Sequence, residues 1–340
     1  MDLKVLLKKT FTLLTLATAL ILIATYMLAL AMSPVIFAIV ERMSECKLVL
    51  EILPPYAGGK VSVPLFIPFI VVWAIFVICI IYSFKGYNKE LSFIKVLEKA
   101  LDEPKAIFNN FLLAMPFISS ATITLVIITH VVQEQAGIPV GTPPEVDYAV
   151  ELLGLSYATI LEEVCFRLLP IGIPLIFALI FAFKYNLPSD EERRANIVFK
   201  GILRPKYAVE NLIKSEHEKK LASVLKTLLI AWSALTFGLL HYSMGDWQIG
   251  KVLPTTIAGL VLAYCYIEYG IEASILIHWI FNVYLTIYSL ASAFVSDLFS
   301  QLTCIIMLLT TTTGAVAIAA LAIHIAYKTF TLTKQAKIKT

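Results

Sequence analysis

The chain has 340 residues, 59% of them hydrophobic and 15% charged, with a formal net charge of +3. Soluble globular domains carry about 25% charged residues. This composition, with a mean hydropathy of +0.85, excludes a fold bathed in water on all sides and makes a lipid bilayer the expected partner. Basic residues are not clustered among aromatics, so no nucleic-acid partner is expected.

In chain order, apolar runs cover 11–40, 63–84, 107–132, 148–183, 227–243, 253–269, 271–292 and 298–327. A helix needs about 20 apolar residues to cross roughly 30 Å of hydrocarbon. The runs are continuous rather than alternating, which selects helices over a barrel. The prediction is therefore an all-α, polytopic integral membrane helix bundle of about eight transmembrane helices, one domain over 1–340. Lys4, Lys8 and Lys9 precede the first run as in a secretory signal, but the run continues to Val40. That is well past a signal core of about 7–15 residues, so a retained span is expected.

Between the second and third runs, 88–104 reads as an amphipathic surface helix with Leu91, Ile94, Leu97 and Leu101 on one side. Pro170 and Pro174 are expected to kink or break the long fourth run, because proline lacks an amide donor and crowds the preceding turn. The charged stretch 184–226 is predicted as a cytoplasmic loop insertion, with Ser189 capping a helix that starts at the following acids. Thr310–Thr313 and then Gly314 mark a small-residue helix contact. Cys46, Cys79, Cys165, Cys265 and Cys304 form no CxxC pair and read as small apolar residues.

Positive charge orients such a bundle, because cytoplasmic loops are enriched in Lys and Arg. Alternating eight spans from a cytoplasmic N-terminus leaves 22 Lys and Arg on the cytoplasmic side and four, Arg42, Lys47, Lys60 and Lys251, outside. Both termini are then cytoplasmic. The expected location is a multi-pass protein of the plasma membrane in a prokaryote, or of the endoplasmic reticulum in a eukaryote.

The remaining basic residue, Arg167, lies inside the fourth run with Glu162 and Glu163. Charges at such a depth cost about 2.5–3.5 kcal/mol each on insertion scales and mark functional positions by default. Glu163 and Arg167 are four apart and can pair on one helix face. Glu162 is rotated about 100° away and is left for another partner. Candidates are His241 on the fifth run and His278 with Asn282 on the seventh, the last two sharing a face. Simple depth bookkeeping leaves Glu162 and His241 several ångströms apart unless helix ends extend or tilt. A carboxylate, two imidazoles and a carboxamide suit hydrolysis by water. The carboxylate removes a proton, an imidazole holds the water or protonates the leaving amine, and N–H groups stabilise the oxyanion.

Glu162-Glu163-xxx-Arg167, Phe237-xxx-His241 and His278-xxx-Asn282, in this order on separate apolar helices, resemble the motifs of the CAAX protease and bacteriocin-processing family, which includes the type II CAAX prenyl endopeptidases. The resemblance covers about 145–292, which would be the catalytic core. It implies an intramembrane glutamate protease with no cofactor and no metal, acting near the C-terminus of a membrane-associated protein such as a prenylated CAAX protein. Glu162 would be the base and His241 would help activate the water. His278 and Asn282 would form the oxyanion hole, and Glu163, Arg167 and Phe237 would support them. It further implies a cavity opening toward the cytoplasm. The length of 184–226 departs from the family pattern and bears on substrate type.

The motifs HExxH, GxGD and GxSxG are absent. Zinc on Glu162, His241 and His278 is chemically possible, ranked below the metal-free reading on the resemblance. Two other classes compete: a catalytically silent scaffold or immunity-type protein, and a transporter with midplane charges, against which the lack of an internal repeat counts. His130, His217 and His324 are expected at interfaces or in water, and Trp232, Trp247 and Trp279 at interfaces or in the core.

Overall fold

The computed structural model describes residues 3–52, 59–142, 145–243 and 247–339. A 41-residue helix, α1 (Leu3–Met43), is followed by a short antiparallel hairpin, β1 (Leu48–Ile52) with β2 (Gly59–Val63), which hydropathy gave no sign of. Then come α2 (Phe66–Lys85), α3 (Phe93–Ala100), α4 (Phe111–Gln135) and α5 (Tyr148–Glu163), which runs through a π-helical stretch, Val164–Gly172, into α6 (Ile173–Ala182). The chain continues as α7 (Glu191–Leu203), α8 (Pro205–Leu212), α9 (Glu216–Ser243), α10 (Val252–Tyr269) and α11 (Ile271–Trp279). A second π-helical turn, Ile280–Tyr284, joins α11 to α12 (Leu285–Phe294), and α13 (Leu298–Lys339) ends the chain.

Among the described residues, eight helical stretches are long and apolar enough to cross a membrane: Leu6–Met43, Phe66–Lys85, Phe111–Gln135, Tyr148–Ala182, Glu216–Ser243, Ile249–Tyr269, Ile271–Phe294 and Leu298–Thr331. They are the eight runs read from hydropathy. Large apolar side chains such as Phe11, Phe181, Trp232 and Leu308 lie on the outside of the bundle. A water-soluble protein would bury most of them; here they are the lipid-facing surface. The chain is a multi-pass integral membrane helix bundle.

Prolines inside spans do more than bend them. Pro34 and Pro170 have no N–H for the carbonyl four residues earlier, and in hydrocarbon that carbonyl needs another donor. Leu30 O receives Trp73 Nε1–H at 2.8 Å, which ties α1 to α2. Phe166 O receives the Ser233 hydroxyl and an Arg167 N–H, which ties the π-helical stretch to α9. Where Pro170 and Pro174 were expected to kink or break the run, the helix widens over Val164–Gly172 and continues as α6.

Small residues set the close crossings. A Cβ on Gly314 would lie 2.1 Å from Thr124 Oγ1 and 2.2 Å from Ser120 O, so α13 meets α4 backbone to backbone, at the contact expected there. Gly238 does the same for α9 against α10, facing Thr256 and Val252 O. Gly270, at φ +110°, reverses the chain between α10 and α11 in one residue.

The stretch 184–226 is mostly helical. Leu175, Ile176, Leu179 and Phe183 pack with Ile197, Ala208, Leu212 and Ala222, giving α6, α7, α8 and the start of α9 a small core of their own. Ion pairs of Arg204 with Glu272 and of Lys206 with Glu268 fasten this unit beneath the α10–α11 turn. The cap of α7 is Asp190, which accepts from Arg193 N–H at 3.0 Å, rather than Ser189. In α3 the buried side is Val96 and Ala100, while Ile94 and Leu101 of the expected stripe face outward.

Candidate active site

The motif residues meet inside the bundle. Glu163 and Arg167 are fully buried, with 0% of either side chain exposed, and their nearest N and O atoms are 3.4 Å apart. A buried ion pair survives only when its remaining polar atoms find partners. Glu163 accepts His278 Nδ1–H at 2.8 Å and the Ser274 hydroxyl. The Arg167 guanidinium donates through Nη1 to Ser233 Oγ at 3.1 Å and lies 4.8 Å from the centre of the Phe237 ring, while its Nε and Nη2 have no hydrogen-bond partner among the described residues. The pair expected from i, i+4 spacing is therefore present, and it also holds a histidine that lies 115 residues away.

Glu162 points the other way. Its Oε2 lies 3.5 Å from His278 Nε2 and 4.0 Å from His241 Nε2, and it has no direct hydrogen-bond partner among the described residues. Each imidazole is oriented through its other nitrogen, His278 by Glu163 and His241 by the carbonyl of Phe237 at 2.8 Å. Both Nε2 atoms thus face the same carboxylate, a arrangement that a single proton or water can bridge. Phe237 lies edge-on to His241 and His278, with ring centres 4.5 and 5.9 Å away, and to Phe166. Asn282 stands beside this group in the second π-helical turn, its amide N–H toward Thr159 Oγ1 at 3.4 Å.

The expected depth mismatch between Glu162 and His241 does not occur. Helix α9 starts at Glu216, within the unit built on α6–α8, and carries His241 to the level of Glu162. Glu162, His241, His278 and Asn282 line one cavity of about 650 Å³. From them it runs between α4, α9 and α10 toward His130, Trp247 and Lys251. His130 thus lines the cavity as well as lying near the end of α4. Trp279 is buried, Trp232 lies on the outer surface, and His217 and His324 are exposed.

Sequence reasoning passed over Ser274, Ser233 and Thr159. Each stands four residues before a motif member, His278, Phe237 and Glu163 respectively, so small polar side chains at helical spacing were the available signal.

Fold and site together define a membrane-embedded helical bundle with a carboxylate and two imidazoles around an internal cavity. Residues 148–284 match the model of the family described as type II CAAX prenyl endopeptidase Rce1-like, and the three motifs lie within this segment. Neither a curated protein nor a solved structure matches the chain.

Proposed function

We propose that the chain is an intramembrane endopeptidase that uses Glu162 to activate water. The carboxylate takes a proton from a water lying between it and His241, and the resulting hydroxide attacks the scissile carbonyl. The Asn282 amide N–H stabilises the oxyanion, joined by His278 Nε2–H when the imidazole carries a second proton beside the one its Nδ1 gives to Glu163. Collapse of the intermediate breaks the C–N bond, and the proton held by Glu162 passes to the leaving amine, directly or through His241. Glu163, Arg167 and Phe237 position the two histidines. The scheme requires no metal and no cofactor.

The substrate class is a membrane-associated protein cut near its C-terminus, prenylated if it follows the description of the matched family. Residues 145–292 form the catalytic core in this reading, and 184–226 is an insertion on the cytoplasmic side, where both termini also lie. The observation that carries the proposal is the unpartnered oxygen of Glu162 within 3.5 and 4.0 Å of two oriented imidazoles.

The test is cleavage of a farnesylated CAAX peptide library, with other lipid-anchored peptides beside it, by purified protein. Cleavage that survives EDTA and disappears in Glu162→Gln is expected. Failure of folded protein to cut any lipid-anchored peptide overturns the protease reading. Activity lost to EDTA and restored by zinc overturns the metal-free mechanism.

A further inference from the structure

The far wall of the cavity carries a cation that the chemistry above does not use. Among the described residues, Lys251 is the only Lys or Arg lining the cavity, and Glu162 is the only acid. The Lys251 ammonium sits 3.6 Å from the centre of the Trp247 ring. No carboxylate pairs with it among the described residues. A cation against an aromatic face in a largely apolar cavity keeps its attraction for an anion, because little water screens it.

Its position is fixed by backbone. Gln248 N–H and Gly250 N–H donate to Val140 O and Pro139 O at 3.1 and 3.0 Å. Gly250 permits this clip, since a Cβ there would lie 2.6 Å from Pro139 O. Facing the same space, His130 has a buried Nε2 with no hydrogen-bond partner among the described residues. The carboxylate nearest His130 in sequence, Glu134, is exposed and does not line the cavity. The cavity lining thus holds the Glu162 carboxylate of α5 and, where α4 ends and α10 begins, a cation and an unsatisfied imidazole.

We propose that Lys251 and His130 bind the free α-carboxylate at the C-terminus of the substrate, so that the enzyme measures its cut from the chain end. This rests on the reading of the site as a protease. It explains in structural terms why cleavage would fall near a C-terminus: a peptide lying along the cavity places its carboxylate against Lys251 and an internal amide against Glu162. Charge-assisted hydrogen bonds of this kind are the strong ones.

The experiment uses one lipidated peptide in two forms, with a free C-terminal carboxylate and with a C-terminal carboxamide. Binding of both to Glu162→Gln protein is measured by fluorescence anisotropy, and turnover of both by wild-type protein is measured in parallel. Glu162→Gln protein should bind the acid about tenfold or more tightly than the amide, and wild type should show the same preference in KM. Lys251→Gln should bring the ratio close to one, Lys251→Arg should preserve it, and His130→Ala should reduce it.

Equal handling of acid and amide by wild type overturns the proposal, as does a ratio unchanged in Lys251→Gln. A Lys251→Gln variant that only loses retained anionic phospholipid, with the ratio intact, makes Lys251 a lipid contact and overturns it too. Acid-selective binding without any turnover supports the carboxylate site while sinking the protease reading, so the two ideas fail separately.

Discussion

The two adjacent glutamates have opposite surroundings. Glu163 is enclosed by Arg167, His278 and Ser274, whereas Glu162 keeps one oxygen free toward the cavity. Removing one partner of a buried ion pair costs about 3–5 kcal/mol, while removing both charges is often close to neutral. Glu163→Gln should therefore lower the melting temperature sharply in detergent. Adding Arg167→Met should recover much of that stability without restoring turnover, because His278 still lacks its carboxylate. Differential scanning fluorimetry and a peptide assay on the same three proteins check this; full recovery of turnover in the double variant contradicts a positioning role for Glu163. The i, i+4 pairing was readable from sequence because helical spacing is a local property. The bonds from Glu163 to His278 and Ser274 were not, since they join residues more than a hundred positions apart.

At the level of elements, the site depends on how closely α9 lies on α10. Gly238 separates Phe237 from the last turn that bears His241, and a Cβ on it would meet Thr256 Oγ1 at 2.0 Å and Val252 O at 2.7 Å. Overpacking of this sort costs about 1–3 kcal/mol. Gly238→Ala should therefore lower both stability and turnover, through displacement of His241; an unchanged melting temperature contradicts so close a crossing. Ser233→Ala should cost less, on the order of 1 kcal/mol, read as a small drop in melting temperature. It strands Phe166 O with the Arg167 contact alone. The eight spans were legible because every stretch crossing the bilayer must be apolar and helical. The folding of 184–226 was not: one helix start could be read near Ser189 in a stretch predicted as a loop, and its core forms only when α7 and α8 meet α6 and α9. The π-helical widening at Val164–Gly172 was visible only as two prolines, which a kink would explain equally well.

On the scale of the whole molecule, charge and cavity point in different directions. The end of the bundle with α3, α7 and α8 carries 22 Lys and Arg and the opposite end four, from which the positive-inside rule predicts a cytoplasmic α7 and α8. The cavity runs from Glu162 toward Lys251 at the start of α10 and His130 near the end of α4, both at the opposite end. With that expected orientation the cavity runs toward the non-cytoplasmic face, whereas the family resemblance implies the cytoplasmic one. Cys46 is an exposed natural probe of the end toward which the cavity runs. In intact cells a membrane-impermeant maleimide should label Cys46, and Lys200→Cys in α7 should label only after lysis. The reverse pattern makes the cavity cytoplasmic and restores cytoplasmic prenylated proteins as the substrate class.

The most direct test of the central claim is single-turnover cleavage of a lipid-anchored peptide by wild-type and Glu162→Gln protein of matched melting temperature. A positioned general base contributes about 10²–10⁴-fold to rate, and the account predicts a loss of at least that size with peptide binding retained. Cleavage by Glu162→Gln within a few-fold of wild type would show that the carboxylate facing the two histidines does not activate the water.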